Sequence, residues 1–285
     1  MGREGRADWG LAVRAIAGDE RAFGELARAY RPRLEAIGRR WFSDAYLAEE
    51  GNSPETLAGL FKAAGVGPVS INSIEFITFR PPEEYEAIRE RCRALCQLGE
   101  TLGAGKIVVV PSPTPEGATW GQIKAESVRV LRDLSDVAAP YGTRLAFEFL
   151  GFGWCSVRTL EQAWEIVRET DRDNIGLVLD TCHFFAGGSS VATIASVDPD
   201  KLFIFHINDV EERPKETIED AHRLLPGEGV IPLDGILAAV KATGFDGLCS
   251  IELFRPAYWE RDPAELAAAA RAATLKVAGR YFQIQ

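Results

Sequence analysis

Two kinds of segment alternate along most of this chain. Short, nearly unbroken apolar runs predict strands at 68–74, 106–111, 144–150, 174–180, 201–207 and 248–254. Longer stretches with apolar residues three or four positions apart predict helices at 54–64, 83–103, 118–140, 158–170, 190–197, 233–243 and 263–281. Strands that alternate with helices in this way form parallel sheets with right-handed crossovers. The pattern therefore predicts an α/β fold of the TIM (β/α)8-barrel type.

The front of the chain does not follow this alternation. Residues 1–42 show helical spacing at 9–17, 20–30 and 33–42 and no strand pattern. The rest of the sequence predicts six clear strands, whereas a closed barrel of this type has eight. We therefore divide the chain into an atypical helical N-terminal segment, 1–42, and a barrel domain, 43–285. We expect the barrel to be incomplete or atypical on its N-terminal side.

Composition and charge narrow the class of protein. The chain has 285 residues, close to the usual size of one such barrel, and its net charge is −10. An acidic protein is a poor partner for nucleic acid, whose phosphates attract clustered Lys and Arg. No apolar run approaches the roughly 20 residues that span a bilayer. The five scattered cysteines and the polar, Arg-rich start favour a cytoplasmic location without disulfides. Unpaired strand edges of an incomplete barrel would favour association into homo-oligomers.

Four predicted strands end on residue types that bind metal ions. They are Glu148 in AFEFLG, Asp180 in LVLDTCH, His206 in IFHIND and Glu252 in SIELF. The C-terminal ends of parallel barrel strands meet at one mouth, where the active sites of such barrels lie. A charged group in an apolar strand is costly unless it is paired or metal-bound. Three carboxylates and one imidazole suit a divalent metal ion such as Mn, Mg, Co or Zn. The sequence therefore predicts a metal site at this mouth.

Further polar and aromatic residues near the same strand ends are candidates for substrate contact. His183 lies three residues after Asp180 and is either a hydrogen-bond partner or proton carrier for substrate, or a capping or core histidine. Asn72 either contacts substrate or forms a turn, and Trp154 either walls the pocket or packs in the core. Arg255 either holds a substrate oxygen or pairs with a nearby carboxylate.

Two residues that follow His206 are candidates for supporting the metal ligands. Either Asn208 or Asp209 could orient the imidazole of His206 through a hydrogen bond. Cys182 lies between Asp180 and His183, and strand alternation favours a packed thiol at that position.

At these residues the chain resembles the xylose-isomerase-like barrel superfamily of sugar isomerases and epimerases. The stretches that carry the resemblance are LAFEFLG, TLEQAWEIVRETDRDNIGLVLDTCHFFAGGS, FIFHINDVEERP, LLPGEGVIPLDG and SIELFRPAYW. Within the superfamily the likeness is strongest to the inosose isomerases. It implies a divalent metal ion held by Glu148, Asp180, His206 and Glu252, with His183 beside a keto-polyol substrate.

The same resemblance implies a reaction. The carbonyl of a keto-polyol (an inosose) would move by one carbon through an enediolate, with Glu148 and Glu252 transferring the proton and His183 stabilising the enediolate oxygen. Alternatives on this barrel are a ketose 3-epimerase and an inosose- or dehydroshikimate-type dehydratase. Epimerases usually carry an Arg and a Glu at the positions occupied here by Glu212 and Trp154, and both differences disfavour that alternative. An inactive binding protein is the non-enzyme alternative, because the usual start of the barrel is missing.

The N-terminal segment has a resemblance of its own. Residues 8–42 are similar to the start of region 2 of an extracytoplasmic-function sigma factor. The stretch that carries this resemblance is DWGLAVRAIAGDERAFGELARAYRPRLEAIGRRW. The promoter-reading remainder of that family has no counterpart in this sequence. We therefore infer no role in transcription from this resemblance.

Overall fold

A parallel sheet organises the protein, whose computed structural model describes residues 53–283. Its strands are β1 (Ile71–Ile74), β2 (Lys106–Val109), β3 (Arg144–Glu148), β4 (Ile175–Asp180), β5 (Leu202–Ile207) and β8 (Leu248–Ile251). They are hydrogen-bonded in the order β1-β2-β3-β4-β5-β8, and each pairing is parallel. All six predicted strands are confirmed. Within residues 53–283 the sheet is two strands short of a closed eight-stranded barrel.

Helices follow the strands, as the spacing predicts. They are α1 (Pro54–Ala64), α2 (Pro82–Leu102), α3 (Trp120–Ala138), α4 (Leu160–Thr170), α5 (Thr181–Gly187), α6 (Val191–Ile194), α7 (Leu233–Ala242), α8 (Pro256–Trp259) and α9 (Pro263–Ala278). Local chemistry sets where several begin. Thr119 and Gln122 form a reciprocal capping box at the start of α3, and the Thr159 hydroxyl caps α4. None of these helices is long and apolar enough to cross a bilayer.

The two faces of the sheet have different neighbours. Leu145, Phe147 and Leu177 belong to the main core with the helices, whereas Ala146, Val178 and Ile204 belong to a smaller cluster on the other face. Both faces are covered at β4 and β5, where every residue is buried, as expected for central strands of a parallel sheet. Because side chains alternate along a strand, residues two positions beyond the smaller cluster lie on its face. Residues near the C-terminal ends of β3, β4 and β5 that follow this alternation therefore lie on the same face as the smaller cluster.

Three local features differ from the sequence prediction. Helix α5 begins directly after β4, so Cys182 is a packed thiol on a helix and not on a strand. The predicted helix at 190–197 is limited to α6. In the polar segment that follows β5, the strands β6 (Asp209–Val210) and β7 (Arg223–Leu224) pair as an antiparallel ribbon. The alternation of strands and helices did not predict this ribbon. The N-terminal segment 1–42 and its boundary lie outside the described residues and stay predictions.

Candidate metal centre

The four predicted ligand residues lie together at the C-terminal edge of the sheet. Glu148 ends β3, Asp180 ends β4, His206 lies in β5, and Glu252 directly follows β8. Glu148, Asp180 and His206 continue the sheet face of Ala146, Val178 and Ile204, two positions further along each strand. Their exposed fractions are 4%, 0% and 5%. The residue pairing Asp180–His206 between β4 and β5 places these two side by side.

The imidazole of His206 is the centre of this cluster. Its Nδ1 atom lies 3.3 Å from Oε1 of Glu148, 3.4 Å from Oε2 of Glu252 and 4.0 Å from Oδ2 of Asp180. One ligand atom from each of the four side chains lies within 4.8 Å of all the others. Three of these side chains are buried and Glu252 is partly buried. Three carboxylates and an imidazole that converge on one point fit a divalent metal ion, since hard oxygen donors with one imidazole suit Mn, Mg, Co and Zn.

Asp180 is held by several hydrogen bonds. Its Oδ1 accepts from the backbone N–H of His183 at 2.9 Å, which caps the start of α5. Its Oδ2 accepts from Nδ2 of Asn208 and from Nη1 of Arg223, each at 2.7 Å. Asn208 therefore orients Asp180 and not His206. Asp209, the other candidate, instead accepts hydrogen bonds from the backbone N–H groups of Gly227 and Ile231. These bonds hold the polar segment that follows β5.

Arg223 lies among the predicted metal ligands, and sequence reasoning missed it. It lies on β7 and is only 1% exposed, although it comes from the most polar part of the chain. Its Nη1 donates to Asp180 and also lies 3.2 Å from Oε2 of Glu252. Arg223 directly precedes the apolar pair Leu224 and Leu225, which is a weak signal that it is buried. Its burial depends on the pairing of β6 with β7, which the sequence pattern does not predict.

His183 lies beside the cluster on α5 and is buried. Its Nε2 lies 3.0 Å from Nη2 of Arg223, and its ring meets that of Phe152 edge-on at a centroid distance of 4.8 Å. A guanidinium has only donors, so Nε2 accepts and the proton of the neutral ring is on Nδ1. Within residues 53–283, this Nδ1 has no hydrogen-bond partner. His183 therefore offers a buried donor next to the predicted metal ligands.

The other three candidates have different surroundings. Asn72 donates from Nδ2 to Oε1 of Glu252 at 2.9 Å, so it contacts the cluster directly. Trp154 is 45% exposed, and its ring centroid is 6.0 Å from those of Phe76 and Phe152. Arg255 pairs through Nη1 with Oε1 of Glu211 at 2.7 Å, which is the carboxylate-pairing alternative of its two interpretations.

The buried charges divide the cluster into protonated and ionised groups. Burial, reinforced by the nearby charge of Glu252, raises the pKa of Glu148 to about 7. Burial disfavours the charged form of His206, but hydrogen bonds to Glu148 and Glu252 outweigh it and raise the pKa of the imidazole well above 6.5. Burial alone would raise the pKa of Asp180, yet the attraction of Arg223 and both histidines lowers it to about 2. Burial lowers the pKa of His183 to about 4, which keeps this ring neutral.

Comparison with known proteins places this geometry in a family. Residues 33–276 match the family described as xylose isomerase-like TIM barrel. Inosose isomerase of Bacillus subtilis (strain 168) is 39% identical over 219 residues, which cover 77% of this chain and 79% of that protein. The crystal structure of IOLI protein with a binding zinc atom matches with a TM-score of 0.80 and 38% identity, covering 84% of this chain and 86% of the other.

A more distant relative carries a different name. The 3-dehydroshikimate dehydratase of Pseudomonas aeruginosa is 30% identical over 241 residues, covering 79% of this chain but 36% of that longer protein. The comparisons confirm both the barrel fold and the resemblance to the inosose isomerases. The chain belongs to the xylose isomerase-like TIM barrel family.

Proposed function

We propose that this protein is a metal-dependent isomerase that moves the carbonyl of an inosose by one carbon through an enediolate. The observation that carries the proposal is the convergence of ligand atoms from Glu148, Asp180, His206 and Glu252, which lie within 4.8 Å of one another. The likeness to inosose isomerase over 77% of the chain supports the choice of substrate. A small keto-polyol also suits a site formed by carboxylates, an amide and aromatic rings.

These four side chains would hold the divalent ion. A bound divalent ion acts as a Lewis acid that makes the proton on the carbon beside a carbonyl more acidic. The zinc atom bound by the structural relative IOLI makes zinc the first ion to test among Mn, Mg, Co and Zn. Asn72 and Asn208 would keep Glu252 and Asp180 in place, through the hydrogen bonds of 2.9 Å and 2.7 Å described above.

The two glutamates are the groups that transfer the proton. Oε1 of Glu148 and Oε2 of Glu252 lie 3.3 Å and 3.4 Å from the His206 Nδ1 atom. One of them removes a proton from the hydroxyl-bearing carbon beside the carbonyl, and the same group or the other returns a proton to the former carbonyl carbon. The hydroxyl proton passes between the two oxygens. The product is an isomer of the substrate, so no redox cofactor is required.

His183 would stabilise the negative oxygen of the enediolate. Its Nδ1–H has no hydrogen-bond partner in the part of the chain that the structure describes, and Arg223 fixes this tautomer by donating to Nε2 at 3.0 Å. A neutral, buried donor is well suited to a developing oxyanion, because it is already oriented and partly desolvated. Trp154 and Arg255 are proposed as substrate contacts at the edge of the site. Trp154 would contact the substrate through its exposed ring. Arg255 would bind a substrate oxygen in place of the carboxylate of Glu211.

NMR of inosose in heavy water with the zinc-loaded protein tests the proposal. We expect a shifted carbonyl together with deuterium on a single carbon, since the proton is lost to an enzyme carboxylate that exchanges with solvent. Glu252→Gln should abolish both signals, whereas Glu100→Gln, an exposed position on α2, should leave both unchanged. Unchanged turnover in Glu252→Gln would overturn the mechanism.

The same experiment separates the alternative functions. A dehydratase is favoured by the relative from Pseudomonas aeruginosa and would use the same carbanion chemistry, but its product has lost one water. A 3-epimerase would invert one carbon without moving the carbonyl. A protein that takes up no metal and converts no inosose would be the inactive binding protein.

A further inference from the structure

A permanent positive charge lies among the predicted metal ligands. The guanidinium of Arg223 lies with Nη1 2.7 Å from Oδ2 of Asp180 and 3.2 Å from Oε2 of Glu252. Its Nη2 lies 3.0 Å from Nε2 of His183. The ring of Phe254 faces the guanidinium, with 5.4 Å from Cζ to the ring centroid. Arg223 is therefore fixed in this position from several sides.

Three of the side-chain atoms that Arg223 contacts, from Asp180, Glu252 and His183, are themselves a set of metal-ligand types. Two carboxylates and one imidazole are the donors that divalent zinc sites use. Asp180 and His183 also form, with Cys182, a second group of buried side chains whose ligand atoms lie within 4.8 Å of one another. This second group is a candidate cation position that shares Asp180 with the first. The hydrogen bond to Nε2 of His183 uses the lone pair that a metal ion would need.

Charge balance explains why one position is taken by an arginine. Glu148, Asp180 and Glu252 supply three negative charges when ionised, which one divalent ion and one guanidinium neutralise. A second divalent ion beside Arg223 would leave an excess of positive charge in a buried site, which is costly. Asp220 also pairs with Nε of Arg223 at 2.9 Å, but its side chain is 44% exposed and its charge is screened by water.

We propose that Arg223 takes the place of a second metal ion and limits this centre to a single divalent ion. The inference rests on the proposed function, because it assumes that Glu148, Asp180, His206 and Glu252 hold that ion. It predicts that removal of the guanidinium opens a second binding position formed by Asp180, Glu252 and His183. Metal stoichiometry reports this directly and does not depend on turnover.

The test titrates zinc into the metal-free, full-length protein and counts bound equivalents by calorimetry and elemental analysis. We expect one equivalent for the wild type, one for Arg223→Lys, which keeps the charge, and two for Arg223→Met, which removes it. The double variant Arg223→Met with His183→Ala should return to one. Circular dichroism and thermal melting show which variants are folded.

Each outcome distinguishes this inference from the proposed function. If folded Arg223→Met binds only one equivalent of zinc, the inference is overturned. It is also overturned if the wild type binds a second equivalent of zinc that His183→Ala does not bind. This wild-type titration keeps the inference falsifiable if Arg223→Met does not fold. No zinc uptake by the wild type, or uptake unchanged in both Glu148→Gln and Glu252→Gln, would instead overturn the proposed metal site.

Discussion

The Nδ1 atom of His206 lies 3.3 Å from Oε1 of Glu148, although the two residues are 58 positions apart and on strands separated by β4. Asp180 ends the intervening strand and lies 4.0 Å from the same Nδ1. Three successive strands therefore deliver their polar side chains to one point. Such a concentration of buried charge is unfavourable unless a cation joins it, which is why the cluster indicates a metal site.

Removal of the metal should lower both stability and activity. Without an ion, the crowding of Glu148, Asp180 and Glu252 is relieved, among the described residues, by partial protonation of Glu148 and by the positive charges of His206 and Arg223. We expect treatment with a chelator to abolish turnover and lower the midpoint of thermal unfolding, and zinc to restore both. An unchanged melting midpoint, with metal loss verified by elemental analysis, would contradict the predicted contribution of the ion to folding.

Zinc affinity should increase with pH. The raised pKa of His206 keeps that group protonated in the metal-free protein near neutrality, and Glu148, with a pKa of about 7, is partly protonated there. A ligand must lose its proton to bind metal, so uptake releases protons and weakens as pH falls. Asp180, with its pKa near 2, is already ionised and contributes no such dependence.

Competition with a zinc-binding dye at pH 6, 7 and 8 measures this dependence after correction for protonation of the dye. For each proton released, the affinity should increase by about tenfold per pH unit. Calorimetry in buffers of different ionisation enthalpy counts those protons independently. A pH-independent affinity without proton release would contradict the protonated state of His206.

Substitution of His183 should impair chemistry more than metal binding. His183→Gln removes the Nδ1–H donor that we assign to the enediolate oxygen, while the four predicted ligands remain. Loss of one oriented donor costs roughly 100-fold in kcat, and we expect that decrease with zinc content unchanged at one equivalent. A wild-type kcat in this variant would assign His183 to capping or core packing.

Gly151 allows helix α5 to approach the loop after β3. A Cβ atom at this position would collide with the carbonyl oxygen of His183 and the backbone N–H of Gly187, so no side chain fits. Gly151→Ala should lower the free energy of unfolding by about 1–3 kcal/mol, the usual cost of overpacking. It should also reduce kcat, because α5 carries His183.

Gly153→Ala is the matched control, since a Cβ there meets no atom of residues 53–283 within 4 Å. Chemical denaturation of the two variants should therefore differ, with Gly153→Ala close to wild type. Equal stability of Gly151→Ala and Gly153→Ala would contradict the close packing of α5.

The sequence predicts the sheet and the ligand set because both depend on local patterns. Apolar runs such as those before Asp180 and His206 identify strands, and in a parallel sheet the residue after each run must lie at the same edge. Arg223 was not predictable in this way, because its burial depends on the antiparallel ribbon that pairs Val210 with Arg223. The hydrogen bond from Asn208 to Asp180 likewise depends on a contact between side chains 28 positions apart.

Anomalous diffraction from crystals of the zinc-loaded protein locates the ion directly. We predict a single peak within bonding distance of Glu148, Asp180, His206 and Glu252, and none on the side of Arg223 facing His183. A zinc peak elsewhere in the molecule, with these four side chains unbound, would contradict the proposed centre and the mechanism built on it.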